Sequence, residues 1–251
     1  MKIETPEFFS LINDDCVTIM ETIESDTVDL LLTDPPYNLG QFMHSRDTNL
    51  GALRKNHFVA TNWDNLEYEK WEICIDKFFE ESARILRPGS SAIIFVSLMK
   101  IETMIRLAEK HGFYYKTTGI WHKTNPMPRN MNLHFINSTE GWLYFVIGSK
   151  TGTFNNRGIV YHDFYETSVT NKKESEYGRH PTQKPLKLLR HFVTLLTNVN
   201  DVVLDPFMGV GSSGVAAIDL NRRFLGIEID DSYYEIATKR MQIFQEKRKM
   251  L

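Results

Sequence analysis

Four consecutive residues, Asp34-Pro35-Pro36-Tyr37, bring together a carboxylate, a doubly locked backbone and an aromatic ring. Each proline fixes φ and removes an N–H, so the Asp34 carboxylate and the Pro35 carbonyl can be aimed at one point. Paired acceptors without a competing donor suit an –NH2 group. The Tyr37 ring offers a flat face on which an extruded nucleobase could stack. Taken alone, the same residues also describe a rigid turn capped by its aspartate.

A second constellation is Asp205-Pro206-Phe207-Met208-Gly209-Val210-Gly211-Ser212-Ser213-Gly214. Glycines at 209 and 211 let a ligand approach the backbone where a Cβ would clash. The helix expected behind them presents unpaired N–H groups. Glu228, after the next apolar run, stands where an acid accepts hydrogen bonds from ribose hydroxyls. This is a nucleoside-cofactor layout, though its glycine spacing is not the G-x-G-x-x-G of dinucleotide sites. Asp205 would repel a phosphate and could receive an ammonium group. The plainer reading is a tight strand-to-helix turn with a surface acid downstream.

Both loops need strands to hold them. Val28 to Thr33 is an apolar run ending at the prolines, Asp201 to Leu204 ends at the glycine turn, and each reads as a buried strand. Trp71, Ile75, Phe78, Phe79, Ala83 and Leu86 fall at helical spacing, and Arg87-Pro88-Gly89 is expected to stop that helix. Ala92 to Val96 reads as a strand, and Ile101 to Lys110 as an amphipathic helix capped by Gly112. Tyr114 to Trp121 and Gly141 to Ile147 read as strands, and Leu186 to Thr197 as a helix. The glycine turn opens another helix, Phe224 to Ile229 is a strand, and Tyr233 to about Lys247 a closing helix. Such alternation predicts an α/β fold with a mostly parallel, doubly wound sheet. Ligands bind such sheets at carboxyl strand ends where the strand order reverses, so both loops belong there. Three long stretches carry no predicted element: Gln41 to Asn65, Thr124 to Ser138 and Thr151 to Arg179. Loops of that length are functional or disordered, and 41–65 is expected to be mobile.

With 251 residues, 42% of them hydrophobic and 24% charged, the chain suits one soluble domain with a sizeable core. The net charge of −3 does not mark a polyanion binder, but its distribution is uneven. From Lys110 to His162 the single acid is Glu140, against Lys110, Lys116, Lys123, Arg129, Lys150 and Arg157. That span reads either as one basic face turned towards phosphates or as a chance fluctuation. Cys16 and Cys74 are too few for a disulfide framework or a four-cysteine metal site. No metal is expected, and free thiols fit a reducing cytoplasm. Acids and a proline in Met1 to Glu7 stand where a signal peptide needs an apolar run. The longest apolar runs have strand length, so no membrane span is expected.

D-P-P-Y, D-P-F-M-G-V-G-S-S-G and His180-Pro181-Thr182-Gln183-Lys184-Pro185, in that order, resemble the DNA amino-methyltransferases of the β arrangement. In that family the catalytic loop comes first, then target recognition, then the cofactor loop. The likeness runs from about Asn13 to Tyr234. Trp121 to Asn130, with its Asn125-Pro126-Met127-Pro128, is similar to the adenine enzymes of the group, among them GANTC-type cell-cycle methyltransferases and partners of restriction endonucleases. The resemblance implies a circularly permuted methyltransferase fold, one domain over 1–251, and target recognition within 122–180. It implies S-adenosylmethionine as cofactor and DNA as partner, with a homodimer and a cognate endonuclease as further expectations.

By the same resemblance, Asp34, Pro35, Pro36 and Tyr37 are catalytic, and Asp34 also borders the cofactor. Asp205, Phe207, Gly209 and Gly211 would line the methionine side, Glu228 the ribose, and Asp15 the adenine ring. Thr182, Gln183 and Lys184 would stand beside the methionine moiety. Ser212 and Ser213 would touch the cofactor or cap the following helix. Val210 and Ser212-Ser213 depart from the commoner Ser and Thr-Thr of this loop, changes conservative in size. His180 is expected to orient a loop rather than act as a base.

The implied reaction is methylation of adenine N6. Two acceptors would hold both amino hydrogens, favour a tetrahedral nitrogen and turn its lone pair towards the methyl group. Neither cysteine follows a proline, so the covalent route of cytosine C5 methylation is not expected. Lys123 and Arg129 would meet phosphates, and Asn125, Arg129, Asn130 and Asn132 would read base edges. The alternative substrate is cytosine N4, whose enzymes more often begin the catalytic loop with serine. Protein-glutamine and RNA methylation more often begin it with asparagine. A non-catalytic DNA-binding homologue is the reading from outside the enzymes.

Overall fold

In a computed structural model, which describes residues 3, 5–38, 66–126, 135–178, 180 and 182–249, the apolar runs become strands of one eight-stranded sheet. The strands are β1 (Phe9–Ile12), β2 (Val28–Thr33), β3 (Leu86–Val96), β4 (Phe113–Lys123), β5 (Thr139–Ile147), β6 (Phe164–Thr167), β7 (Val202–Asp205) and β8 (Arg223–Ile227). Their spatial order is β1-β8-β7-β2-β3-β5-β4-β6. Neighbours run parallel except at β5, which is antiparallel to both β3 and β4. The helices are α1 (Cys16–Met20), α2 (Tyr68–Ile85), α3 (Ile101–Lys110), α4 (Leu186–Leu196), α5 (Ser212–Asp219) and α6 (Asp231–Lys249). Among the described residues no helix is long and apolar enough to cross a membrane.

Successive strand residues point to opposite faces, and helices cover both. Leu31, Ala92, Ile94 and Val96 face a core closed by Trp71, Ile75, Phe78 and Phe79 of α2 with Met104 and Leu107 of α3. Leu30, Leu32, Ile93 and Phe95 face the other side, against Leu188 and Phe192 of α4, Val215 of α5 and Ala237 of α6. Burying each such side chain stabilises by roughly 1.5–3 kcal/mol. A strand covered on both faces needs apolar residues in succession, which is why β2 shows no alternation in sequence.

Three expectations change. Helix α2 ends at Ile85 and β3 begins at Leu86, so Arg87-Pro88-Gly89 lies within a strand and does not separate two elements. The pairing with β2 is irregular there, stepping from Val28–Leu86 to Leu30–Ser91. That irregularity accommodates Pro88, which has no N–H to give a ladder, and Arg87 pairs with Asp29 of β2. The stretch 151–179 also contains a strand, β6, which extends the sheet beside β4. Finally, β1 and α1 occupy a region where no element was expected. All three unforeseen elements have four or five residues, too few for a period to register. The segment 41–65 lies outside the described residues.

At the centre, β2 and β7 are neighbours. The chain leaves β2 through α2 to reach β3 on one side, and leaves β7 through α5 to reach β8 on the other. The two connections diverge and open a crevice at the carboxyl ends of these strands, the usual ligand position in such sheets.

Candidate active site

Asp205 ends β7 and is buried. Thr33, which ends the neighbouring β2, donates its hydroxyl to Asp205 Oδ1 at 2.7 Å. Ser213 donates to Oδ2 at 2.5 Å, and the Phe207 N–H to Oδ1 at 3.1 Å. Burial nevertheless pushes the carboxyl up to about 6, against the pull of these three donors. The turn beyond it needs positive φ at Gly209 (+52°) and Gly211 (+76°), values that a side chain adopts only at a cost. Gly209 N–H donates to Glu228 Oε2 at 2.8 Å and Asp230 N–H to Oε1 at 2.9 Å, so Glu228 grips the turn from the end of β8. Burial raises its carboxyl as well.

Ser212 and Ser213 do not cap α5, whose N-cap is Gly211. The Ser213 hydroxyl serves Asp205, and the Ser212 hydroxyl accepts from buried Arg240 of α6 at 3.2 Å. Arg240 also donates to the Val210 carbonyl, and burial lowers its pKa to about 10. Asp15 caps α1, accepting the Thr18 N–H at 3.0 Å. It follows β1, which lies beside β8, and Asn13 Nδ2 ties the two strand ends by donating to the Glu228 carbonyl at 2.9 Å. Phe207 packs on Phe78, ring centroids 5.8 Å apart.

The Asp34-Pro35-Pro36-Tyr37 loop leaves β2 at Asp34. The indole N–H of Trp71 donates to the Pro36 carbonyl at 3.1 Å, so α2 steadies the loop. The Tyr37 hydroxyl donates to Asp34 Oδ1, and the Lys184 ammonium holds Oδ2. Lys184 also reaches Glu140 Oε2 of β5 at 3.1 Å, and Lys123 of β4 reaches Glu140 Oε1 at 2.7 Å. A chain of alternating charge therefore runs Asp34–Lys184–Glu140–Lys123. Burial raises the Asp34 carboxyl, and the Glu140 charge adds to that while Lys184 opposes it. Burial works against the Lys184 ammonium, but the Asp34 and Glu140 carboxylates outweigh it and hold its pKa above the usual value. Burial would raise Glu140, yet Lys184 and Lys123 together keep it below the ordinary range.

The sequence reading set Lys184 beside the cofactor; it lines the crevice with Thr182, Gln183 and Asp205, and its ammonium also lies on the Asp34 carboxylate. Gln183 lines the crevice, donating to the Glu174 carbonyl at 3.1 Å while its buried Oε1 has no hydrogen-bond partner among the described residues. Thr182 N–H points to His180 Nδ1 at 3.3 Å, which makes that nitrogen an acceptor. Burial, then nearby Lys184, lowers His180 to about 4. A neutral ring is thus folded against its own loop.

The expected DNA contacts fare differently. Lys123 is turned inward onto Glu140 and the Trp121 ring, so its charge is spent within the site. Asn125 Oδ1 accepts the Val169 N–H at 2.8 Å and ties two loops together. Arg129, Asn130 and Asn132 lie outside the described residues. Lysines of the basic span, and two beyond it, lie at opposite ends of the sheet. Lys110, paired with Asp76, and Lys116, bonded to the Lys150 carbonyl, stand at the amino end of β4, away from the crevice. Exposed Lys172 and Lys173, which follow β6, stand at the crevice end. Sequence reasoning missed Thr33, Trp71, Glu140 and Arg240 as site residues. Glu140 alone carried a signal, as the one acid in a basic span.

A family model described as DNA methylase, of N6 and N4 methyltransferases, matches residues 28–239. The chain belongs to this DNA methylase family. The methylase is 30% identical to Type II methyltransferase M2.DpnII of Streptococcus pneumoniae over 250 residues, covering 94% of this chain and 90% of that protein. It is 28% identical to Type II methyltransferase M.HinfI of Haemophilus influenzae, over 93% of this chain and 68% of that one. Among solved structures, the M1.HpyAVI–SAM complex superposes with a TM-score of 0.67 at 26% identity, over 93% of this chain and all (100%) of that one. The cytosine-N4-specific PvuII DNA methyltransferase superposes at 0.74 with 17% identity, over 96% and 92% of the two chains, a likeness of fold alone.

Proposed function

We propose that this methylase transfers a methyl group from S-adenosylmethionine to N6 of an adenine turned out of DNA. The observation that carries the reading is the adjacency of Asp34 and Asp205 on neighbouring strand ends, bridged by Thr33. The residues at the cofactor end suit this cofactor. A buried carboxylate at Asp205 and a Gln183 Oε1 with no partner among the described residues favour a cationic donor and disfavour phosphate. Each Glu228 oxygen keeps a lone pair beyond its backbone donor for a ribose hydroxyl. When bound, S-adenosylmethionine supplies an electrophilic methyl group on a sulfonium.

The chain's own work is positioning. Asp34 and the Pro35 carbonyl hold the two amino hydrogens, and Tyr37 stacks the base. Asp205, Phe207, Gly209 and Gly211 seat the methionine side, Asp15 the adenine side, and Gln183 and Thr182 close the crevice. Turning the base out costs a few kcal/mol of stacking, offset by phosphate contacts at the crevice end. Adenine is preferred over cytosine N4 because D-P-P-Y opens with aspartate and Asn125-Pro126-Met127-Pro128 follows β4. One domain over 1–251, target recognition within 122–180, a cytoplasmic location, a homodimer and a cognate endonuclease complete the proposal.

The test is incubation of unmethylated genomic DNA with the purified protein and labelled cofactor, followed by nucleoside mass spectrometry and modification-sensitive sequencing. N6-methyladenine at one sequence context is the expected product. N4-methylcytosine would reassign the base, and no transfer to DNA would sink the reading.

A further inference from the structure

Lys184 is 5% exposed, and its ammonium is held by groups of the protein. It hydrogen-bonds to Asp34 Oδ2 and to the Thr182 carbonyl at 3.4 Å, and forms an ion pair with Glu140 Oε2 at 3.1 Å. Glu140 is in turn fixed from behind by Lys123 at 2.7 Å, so the ammonium is braced against β4 and β5. Tyr37 is only half-buried, and its hydroxyl is a neutral donor to Asp34 Oδ1. A hydrogen bond from a neutral donor is weaker than one between two ionised groups. Of the two groups on the carboxylate, the tyrosine is therefore the one that yields.

We propose that Lys184 is a positioning residue for Asp34, anchoring Oδ2 so that Oδ1, where the Tyr37 hydroxyl rests, is the oxygen released to the target amine. The inference rests on the amino-methyltransferase reading above. In it Tyr37 leaves Oδ1 as its ring takes the arriving base, and the amine N–H replaces the phenol as donor. The carboxylate does not have to be aimed again, because its other oxygen never moves. Lys123, Glu140, Lys184 and Asp34 carry no net charge together when all are ionised, so the cluster can stay largely sheltered from water throughout.

The ionisable groups facing Asp34 are Lys184 ahead of α4, Glu140 of β5, Asp205 of β7 and Tyr37 on its own loop, with Lys123 of β4 acting through Glu140 and neutral His180 beside Lys184. Without Lys184, Asp34 faces two acids and must hold its proton more tightly. Without the Glu140 charge it must release its proton more easily. The two variants therefore move the same titration in opposite directions, which a merely structural role would not do.

The experiment follows the Asp34 carboxyl by carbon-13 NMR in ligand-free protein, assigned through Asp34→Asn, beside single-turnover methyl transfer and S-adenosylhomocysteine calorimetry. Lys184→Met is expected to raise the Asp34 titration by about one pH unit or more, shift the acid limb of the rate upwards, and slow transfer about 100-fold. Affinity for S-adenosylhomocysteine should change little, and Lys184→Arg should keep the titration near wild type. Glu140→Gln is expected to move the same limb downwards, and it serves alone if Lys184→Met does not fold. An unmoved Asp34 titration in either variant overturns the proposal. So does a Lys184→Met protein whose loss is confined to S-adenosylhomocysteine affinity, since that returns the lysine to the cofactor site. If the wild type transfers no methyl group, the functional reading fails, while the titration still decides what Lys184 does.

Discussion

Asp34 and Asp205 stand on neighbouring strand ends, and the proposed reaction gives them different partners. Asp34→Ala is expected to slow single-turnover methyl transfer at least about 1,000-fold while S-adenosylhomocysteine still binds; an active variant would remove Asp34 from the chemistry. Asp205 carries a cost that its role requires. Its folded pKa of about 6 lies above the ordinary 3.8, so the unfolded chain releases the proton first as pH rises. Stability falls between those values, and the full cost, on the order of 1–3 kcal/mol, is present above about pH 6. Asp205→Asn should therefore melt above wild type at pH 7.5, lose that advantage near pH 4, and bind cofactor weakly. A lower melting temperature at pH 7.5 would show that the bonds from Thr33, Ser213 and Phe207 outweigh burial. In wild type, cofactor affinity should decline as pH drops below about 6, when Asp205 takes up its proton.

Helix α2 and the turn after β6 serve the site from a distance. Trp71 is buried in α2 and its N–H holds the Pro36 carbonyl. Trp71→Phe keeps most of the apolar surface and removes the donor, so thermal melts should show a loss of about 1 kcal/mol and single turnovers a larger proportional loss. A variant with wild-type turnover would leave Trp71 as core alone. At the other position, Lys172→Ala with Lys173→Ala should weaken DNA binding and lower the salt slope by about 2, whereas Lys116→Ala with Lys150→Ala should leave both unchanged. The reverse result would put the DNA on the opposite end of the sheet. These assignments were not readable from the chain. Trp71 has the spacing of a core residue, and it is one; the indole N–H only matters because the loop passes over it. Lys123 has the type and setting of a phosphate contact, but its pairing with Glu140 is made across two strands. The strands and helices that did declare themselves, β2, α2, α3 and β7, are those whose apolar runs are long or abruptly ended. A buried ion pair such as Lys184 with Asp34, 150 residues apart, leaves no periodic trace.

Across the whole molecule, the crevice spans the line where the two halves of the sheet meet. A ligand seated there touches the ends of β7 and β8 and the loop leaving β2, so it should stabilise the domain as one body. At about 100 times its dissociation constant, S-adenosylhomocysteine should add roughly 2.7 kcal/mol, read as a rise of several degrees in melting temperature. No rise at that concentration would mean that the crevice does not bind it. The doubly wound architecture and the position of both loops were legible because strand and helix alternate. The direction of β5 and the existence of β6 were not, since a strand's neighbour is not written in its own residues.

The same line has a consequence during synthesis. Thr33 and Asp205 stand 172 residues apart in the chain although their strands touch. As the polypeptide leaves the ribosome, β2 can pair with β3 early, while its other edge waits for β7. At about 5–20 residues per second, that edge stays bare for roughly 10–30 s, and an unpaired apolar strand is a template for the wrong partner. The nascent half-molecule is thus the form most in need of a chaperone, and the seam beside the crevice closes only when β7 arrives, late in synthesis.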